Sequence, residues 1–347
     1  FTNGSSVVKQ PLSVSVWPFA LPDDLPITLY ANFCYRPDWF ARYGVTPSAL
    51  HDRVSTAYLA ALRAYKINAV GLAYYPFPGN TVASGAATIS AFPDLTKILD
   101  TVVRYGFRFF RLPELADAYD ATQLGQPGNL FAFNGPVYYQ YPQVQEGYDL
   151  VKSAVPPIAT LCTGGPPDPS LTNSVDIWAM YSRTYNPQAH AAACSQGQQC
   201  WLYAHRLHGA KRWPTNQRII GWHLFNYNFS GYLLWSVNWF APDPWTAQPD
   251  VNSGNRAGTW IYPHPATGMP LPTLRLEALR RGFEDYQYFV LFQQAYQNGK
   301  ISAAAYNGIR QRIASATSRL TTDSMPYYWK DFESVRQDVG NLLKSAR

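Results

Sequence analysis

Long apolar segments and clustered charge are both scarce in this sequence. The longest apolar run, Gly231 to Trp239, is far shorter than the roughly 20 residues that cross a bilayer, so we expect no membrane span. Charged residues make up only 14% of the chain, and its net charge is +6. The densest basic cluster, Arg275, Arg280 and Arg281, is too small for a nucleic-acid surface. We therefore predict no nucleic-acid partner.

Cysteine is also rare, with four residues in the chain. No C-x-x-C pair occurs, which disfavours a four-cysteine zinc site, and we expect neither a metal nor a cofactor. Cys194 and Cys200, in CSQGQQC, are predicted to close a small disulfide loop. The sequons that begin at Asn3 and Asn228 would accept glycans in an exported chain. Together these features favour an extracellular or secreted protein.

Histidine offers no obvious catalytic pattern. His51, His190 and His208 have no neighbour at the spacing of a metal site or a catalytic triad. We interpret these three side chains as surface or helix-capping residues.

Aromatic residues, by contrast, are abundant and make up 16% of the chain. Roughly half of these rings are expected to fill a core. The others indicate stacking surfaces for sugars or for partner chains. The composition thus points to a carbohydrate partner or to other protein chains of an assembly.

Short apolar strands alternate with amphipathic helices along the chain. Strands that are apolar on both faces and separated by helices predict a parallel sheet covered by helices. Eight such units predict an α/β fold, the (β/α)8 TIM barrel. The eight predicted strands are 27–33, 67–75, 107–113, 130–134, 158–163, 176–182, 200–206 and 231–238.

Helical patterns fill most of the intervals between these strands. Segment 114–129 is short and 164–175 is rich in Pro and Gly, so one or two outer helices are expected to be shortened. We divide the chain into a lead-in segment (1–25), a barrel (26–300) and a C-terminal helical appendage packed on the barrel (301–347). The predicted helices are 46–65, 93–106, 141–156, 216–227, 273–299, 302–320 and 330–346.

The carboxyl ends of the barrel strands are where such folds place their active sites. These ends are aromatic and polar here, which suits sugar rings that stack on Tyr or Trp and form hydrogen bonds with Asn, Arg and His. Trp235 could equally face the barrel interior as core, and the same alternative holds for Tyr203, His205 and Arg206. The substrate-binding candidates are Tyr74, Tyr75, Tyr203, His205, Arg206, Trp235, Asn238 and Trp239.

Five blocks of the sequence are distinctive: PLSVSVWPFALPDDLP, YPQVQEGYDLVKSAVP, VDIWAMYS, GYLLWSVNWFAPDPW and LRLEALRRGFEDYQYF. They resemble glycoside hydrolase family 123 and the related domain-of-unknown-function family 4091. The resemblance covers nearly the whole chain, and the segment 275–286 is its most specific part. Residues 1–25 match only the last strand of the family's N-terminal β-sandwich.

The resemblance implies a barrel hydrolase that cleaves β-linked N-acetylgalactosamine with retention, through the sugar's own acetamido oxygen. In the family an Asp polarises the acetamide and the adjacent Glu protonates the leaving oxygen, at the end of the fourth strand. The matching tripeptide here is Asn134-Gly135-Pro136. Because general acid catalysis contributes about 10²–10⁴-fold and Gly135 has no proton to donate, we expect a catalytically degenerate protein.

Another carboxylate could take the place of the missing general acid. Glu114 and Asp117 follow the third strand, where they more naturally act as dipole partners in the first turn of a short helix. Asp243 follows the eighth strand between prolines, as turn residues do. The family-typical acids of segment 277–285 lie at helical spacing from Arg280 and Arg281, which predicts an ion-pair network.

Three classes of function remain open from sequence. The first is a pseudoenzyme that binds carbohydrate in an aromatic pocket, and the second is a structural module of an extracellular assembly. The third is an active retaining exo-glycosidase on β-linked N-acetylhexosamine that uses relocated carboxylates. A concave aromatic rim would favour sugar binding, whereas an exposed flat patch would favour assembly.

Overall fold

A curled parallel β-sheet forms the centre of an α/β fold in the computed structural model of the chain. Eight strands pair in chain order and the last pairs with the first, so the sheet closes on itself. The structure describes residues 2–3, 6–7, 14, 16–34, 37–73, 109–112, 130–134, 159–203, 214–234, 236–238, 243–246, 259–318, 320 and 329–346. The strands are β1 Thr28–Cys34, β2 Ala69–Ala73, β3 Phe109–Leu112, β4 Leu130–Asn134, β5 Ala159–Gly164, β6 Ile177–Tyr181, β7 Gln199–Tyr203 and β8 Gly231–Leu234.

The eight predicted strands are thus confirmed to within a few residues at their ends. Alternate side chains of a strand pack in two separate cores, as the period of two requires. In β1, Tyr30 belongs to the cluster that includes Leu161 and Trp201, whereas Leu29 belongs to the larger cluster shared with the helices. The first cluster is the barrel interior. The segments that follow β2, β3 and β4 fall outside the described residues, so the complete eightfold repeat stays a prediction.

The described helices follow the predicted pattern with two additions, the short helix α1 and helix α4. Helix α4 was not predicted, although Asn186 caps it by accepting hydrogen bonds from Gln188 and Ala189 over 3.0 Å. Segment 164–175 contains only a single 3₁₀ turn, Pro169–Leu171, which confirms one shortened connection. The helices are α1 Pro37–Ala41, α2 Pro47–Ala49, α3 Ser55–Ala64, α4 Pro187–Ser195, α5 Thr215–Asn226, α6 Leu274–Gln297, α7 Ala303–Thr317 and α8 Trp329–Ser345, with a π-helix, Leu50–Val54, between α2 and α3.

Helices α5 and α6 cross at closely apposed glycines. A side chain on Gly221 would collide with the carbonyl of Gly282, and one on Gly282 would collide with the carbonyl of Arg218. The last two helices pack onto this pair. Phe19 of the lead-in segment packs edge-on against Tyr288 of α6, with ring centroids 5.5 Å apart. The lead-in segment and the last two helices therefore all contact the long helix α6.

Two short antiparallel ladders complete the described structure. Thr2–Asn3 pairs with Ser6–Val7, and strand β9 (Ile261–Pro263) pairs with β10 (Pro270–Pro272). Gly268, between the last two strands, has a φ of +65°, which a residue with a side chain rarely adopts. Among the described helices, none combines the length and the apolar character that crossing a membrane requires.

Candidate carbohydrate site at the barrel rim

Asn134 is the last residue of β4 and lies opposite Cys162 of β5 in the strand register. The structure therefore places Asn134 at the carboxyl end of the fourth barrel strand, where the sequence resemblance expects the catalytic Asp. Nine other predicted site residues lie outside the described residues. They are Gly135, Glu114, Asp117, Tyr74, Tyr75, His205, Arg206, Trp235 and Trp239.

Tyr203 ends β7 and stacks on Tyr181, which ends β6. The two residues are partners in the strand register, and their ring centroids are 4.8 Å apart at an interplanar angle of 29°. Tyr203 is buried in the barrel interior, whereas Tyr181 is only half-buried. Tyr203 is therefore a core residue, as one interpretation of the sequence predicts. It also supports the more exposed ring of Tyr181 at the rim, where the other interpretation places sugar binding.

Asn238, another substrate-binding candidate, closes the seam between β8 and β1. Its Oδ1 accepts a hydrogen bond from the Cys34 N–H over 2.6 Å, and its Nδ2 donates to the Cys34 carbonyl over 2.9 Å. The side chain thus imitates a peptide group and extends the ladder beyond the last strand pair. It is fully buried. Its predicted contact with a sugar stays untested.

Asp243 is held by its neighbours in the loop after β8. Its Oδ1 accepts hydrogen bonds from the Tyr43 hydroxyl over 2.8 Å and from the Trp245 N–H over 3.0 Å. Partial burial opposes ionisation of this carboxyl group, but the hydrogen bonds from Trp245 and Tyr43 lower its pKa overall. Burial and the neighbouring Asp243 raise the pKa of Tyr43. Asp243 is therefore an ionised acceptor, whereas a general acid needs a raised pKa.

Trp245 is a rim residue that was not among the predicted site residues. Its side chain is 47% exposed, and its Nε1 donates to the Pro263 carbonyl over 2.8 Å. The ring also packs edge-on against Tyr262, with centroids 4.9 Å apart. An exposed indole held in one orientation is a suitable platform for a sugar ring. The signal was present in the sequence, because Trp245 ends the family-like block GYLLWSVNWFAPDPW.

The predicted disulfide between Cys194 and Cys200 is not formed, since both are free cysteines. Cys194 is exposed in the last turn of α4, and Cys200 is buried in β7. Burial raises the pKa of the Cys200 thiol, and the neighbouring Cys194 adds to the effect. His190 was expected at the surface but is only 5% exposed, and burial lowers its pKa. Among the described residues, these three form a group that could hold a metal ion.

The family-typical acids on α6 form the expected ion-pair network. Glu277 and Glu284 both pair with Arg280 on the same helix. Asp285 instead pairs with Arg218 of α5 and with Arg336 of α8. Their contacts join helices on the outside of the barrel, so their role in the fold is structural.

One predicted glycosylation site lies on the surface. Asn228 is exposed just after α5, with a φ of 55°. This left-handed conformation is one that Asn adopts more readily than most residues at a helix end. Asn3 lies in the first antiparallel ladder. Glycan attachment at either residue stays a prediction.

One protein-family model matches part of the chain. The model of the glycoside hydrolase 123 catalytic domain matches residues 171–292, which confirms the resemblance over that part of the chain. The segment includes β6, β7 and β8, the Asp243 loop and most of α6. No curated protein matches the chain.

Two solved structures were compared with the fold. A family 123 glycoside hydrolase from Clostridium perfringens, described in connection with glycolipid glycan hydrolysis, has a TM-score of 0.62 and 12% identity, with 94% of this chain and 70% of that chain covered. At this identity the likeness concerns the fold. The tryptophan synthase α2β2 complex from Pyrococcus furiosus has a TM-score of 0.36 and 11% identity, with 75% of this chain and 97% of that chain covered. This similarity is too low to indicate a shared fold.

Proposed function

We propose that the chain is a glycoside-hydrolase-like (β/α)8 barrel protein that binds a glycan at its barrel rim and does not cleave it. The observation that carries the proposal is Asn134 at the end of β4, followed in sequence by Gly135. The family likeness supports a sugar as ligand, and the substituted pair supports the loss of hydrolysis. The sugar class we propose is β-linked N-acetylhexosamine.

The chemistry of the two substituted positions differs. A carboxamide at Asn134 can still accept a hydrogen bond from an acetamido N–H, but it lacks the charge that stabilises a positively charged intermediate. Gly135 has no side chain and cannot protonate the leaving oxygen. Since general acid catalysis contributes about 10²–10⁴-fold, sugar binding can persist while the rate of hydrolysis falls to a small fraction of that of an intact site.

Aromatic residues of the described rim support the binding half of the proposal. The half-buried Tyr181, backed by Tyr203, ends β6, and the exposed Trp245 lies in the loop after β8. Their rings are fixed by stacking or by a hydrogen bond, which reduces the entropy lost when a sugar is bound. We also propose that the chain consists of a lead-in segment, a barrel and a C-terminal appendage, and that the protein is extracellular.

An active glycosidase with relocated carboxylates is the second candidate function. It needs a proton donor at the rim, and Glu114, Asp117 and Asp243 are the candidates that the sequence suggested. The ionised state of Asp243 argues against that residue as the donor. A purely structural module of an assembly is the third candidate, and it predicts no sugar affinity at all.

The three candidates differ in two measurements on the intact chain. We expect N-acetylgalactosamine or N-acetylglucosamine to bind in calorimetric titrations, and aryl β-N-acetylhexosaminides to remain uncleaved. In the double variant Asn134→Asp, Gly135→Glu, we expect hydrolysis to appear. A variant carrying Asn134→Asp alone is the matched control and should remain inactive, because it restores the polarising carboxylate without the acid.

Each other outcome would decide against the proposal. Turnover by the unchanged chain that Glu114→Gln or Asp117→Asn abolishes would establish the relocated-carboxylate enzyme. Absence of sugar binding in the unchanged chain and in the double variant would favour the structural module.

A further inference from the structure

A histidine and two cysteines converge where helix α4 meets strand β7. One ring nitrogen of His190 and the sulfurs of Cys194 and Cys200 lie within 4.8 Å of one another. The Cys200 N–H donates to the Ser230 hydroxyl over 3.1 Å, and Ser230 directly precedes β8. The cluster therefore lies toward the amino ends of the strands, away from the rim where we place the sugar.

The local fold brings these three residues together. His190 and Cys194 are four residues apart in α4, so their side chains lie on one face of the helix. Gly197, with a φ of +81°, turns the chain back. The Gln198 N–H then donates to the Ala193 carbonyl over 3.1 Å, which holds β7 against the end of α4.

His190 provides an independent indication of a ligand. Its side chain is 5% exposed, and its Nδ1 has no hydrogen-bond partner among the described residues. Its ring is held between aromatic neighbours, with centroids 4.9 Å from Phe229 and 5.6 Å from Tyr185. A buried polar atom without a partner costs about 1–3 kcal/mol, and a bound cation would remove that cost.

We propose that His190, Cys194 and Cys200 bind one thiophilic divalent cation of the zinc class. Thiolate and imidazole are the ligands that zinc prefers, and two Cys with one His leave a fourth position for water or another ligand. Cys194 is exposed, so solvent can reach that position. The expectation of no metal, which rested on the absence of C-x-x-C, is thus replaced by H-x3-C-x5-C.

The distances are compatible with such a centre after a small closure. Zinc bonds of about 2.3 Å to sulfur and 2.0–2.1 Å to nitrogen separate tetrahedral ligand atoms by roughly 3.5–3.8 Å. The described atoms lie within 4.8 Å of one another, so a closure of little more than about 1 Å brings them to these separations. A disulfide between the two cysteines would not supply a partner for His190 Nδ1.

Cobalt titration of the intact chain tests the site. The protein is fully reduced, freed of metal and titrated with Co²⁺, whose bonds to thiolate give near-ultraviolet charge-transfer bands and intense visible bands when four-coordinate. We expect both features with one Co²⁺ per chain, and their loss when Zn²⁺ is added. In Cys194→Ser we expect the charge-transfer intensity to fall by about half and the apparent affinity to fall at least roughly tenfold, since even an outer-shell change costs 10–100-fold.

Cys34→Ser is the matched control. Its sulfur lies 3.2 Å from the Ser236 hydroxyl, so a serine can keep that contact, and its cobalt spectrum should equal that of the unchanged chain. The proposal is overturned if the reduced chain gives only a weak six-coordinate spectrum. It is also overturned if Cys34→Ser lowers the charge-transfer intensity as much as Cys194→Ser does. Formation of a disulfide between Cys194 and Cys200 in place of metal binding would overturn it as well.

Discussion

Arg218 of α5 and Asp285 of α6 form a two-pronged ion pair in which neither side chain is exposed to solvent. Arg218 donates from Nε to one carboxylate oxygen over 2.7 Å and from Nη2 to the other over 3.1 Å. Trp222 and Arg336 complete the hydrogen bonding of the carboxylate over 2.9 and 3.1 Å. Asp285 therefore connects three helices, and a change there should be felt in the stability of the whole chain.

We expect Asp285→Ala to lower the free energy of unfolding by about 3–5 kcal/mol, because it leaves the buried Arg218 guanidinium with only the partly exposed Glu333 as a counter-charge. Urea unfolding followed by tryptophan fluorescence measures the change. Glu277→Ala is the control, since its pair with Arg280 is partly exposed and should be worth about 0–1 kcal/mol. Equal losses in the two variants would contradict the assignment of Asp285 as the central contact.

Two glycine substitutions, one at the crossing of α5 and α6 and one in α7, should have opposite effects on stability. Gly282→Ala should destabilise the chain by about 1–3 kcal/mol or more, because the new methyl group meets the Arg218 carbonyl. Gly308→Ala in α7 meets no atom within 4 Å and should stabilise by about 0.4–1 kcal/mol through helix propensity. Thermal melts of the two variants provide the comparison. Destabilisation by both would show that the close crossing is not what constrains Gly282.

His223, fully buried in α5, should make stability depend on pH. Burial lowers its pKa to about 3, whereas an unfolded histidine has a pKa near 6.5. The unfolded state therefore binds more protons below pH 6.5, so stability decreases as pH falls and this loss is complete near pH 3. The contribution of His223 is about 1.4 kcal/mol per pH unit inside that window.

The measurement is urea unfolding of the unchanged chain and of His223→Leu between pH 6.5 and 5, above the range where most carboxyl groups titrate. In His223→Leu the free energy of unfolding should depend less steeply on pH, because leucine does not titrate. The pH dependence that remains includes the contribution of His190, whose pKa is also lowered by burial. Identical slopes in the two proteins would refute a neutral buried His223.

Trp245→Ala should weaken sugar binding if the exposed indole stacks on the ligand. We expect the affinity for N-acetylhexosamine to fall at least about tenfold, or 1.4 kcal/mol, as for other aromatic contacts at the centre of an interface. Trp329→Ala is the control, because that ring is 40% exposed but lies on α8. Titration calorimetry measures both variants, and a loss of affinity as large in Trp329→Ala would argue against the rim site.

Local sequence patterns predicted most of the described secondary structure. The apolar strand segments and the long helix α6 were predicted to within a few residues, because strand alternation and helix periodicity depend on neighbouring residues. Helices α1 and α4 were missed, although Asn186 followed by Pro187 is a common helix start. The amide-glycine pair at 134–135 was also evident, since it requires only the strand end and the family motif.

The partners of individual side chains were decided by the tertiary structure. Asp285 was expected to pair within α6, but its partners Arg218 and Arg336 are 67 and 51 residues away in the chain. In the same way, Asn238 reaches Cys34 across 204 residues to close the barrel seam. No short sequence pattern contains such contacts, because they arise only when closure of the sheet brings its first and last strands together.

The cysteines show the same division. The sequence determined that Cys194 and Cys200 would be neighbours, because five residues separate them. Only the packing of α4 against β7 placed His190 beside them and buried its ring among aromatic side chains. Chain proximity sets which groups can meet, and burial in the folded protein decides which of them lack a partner and what they can bind.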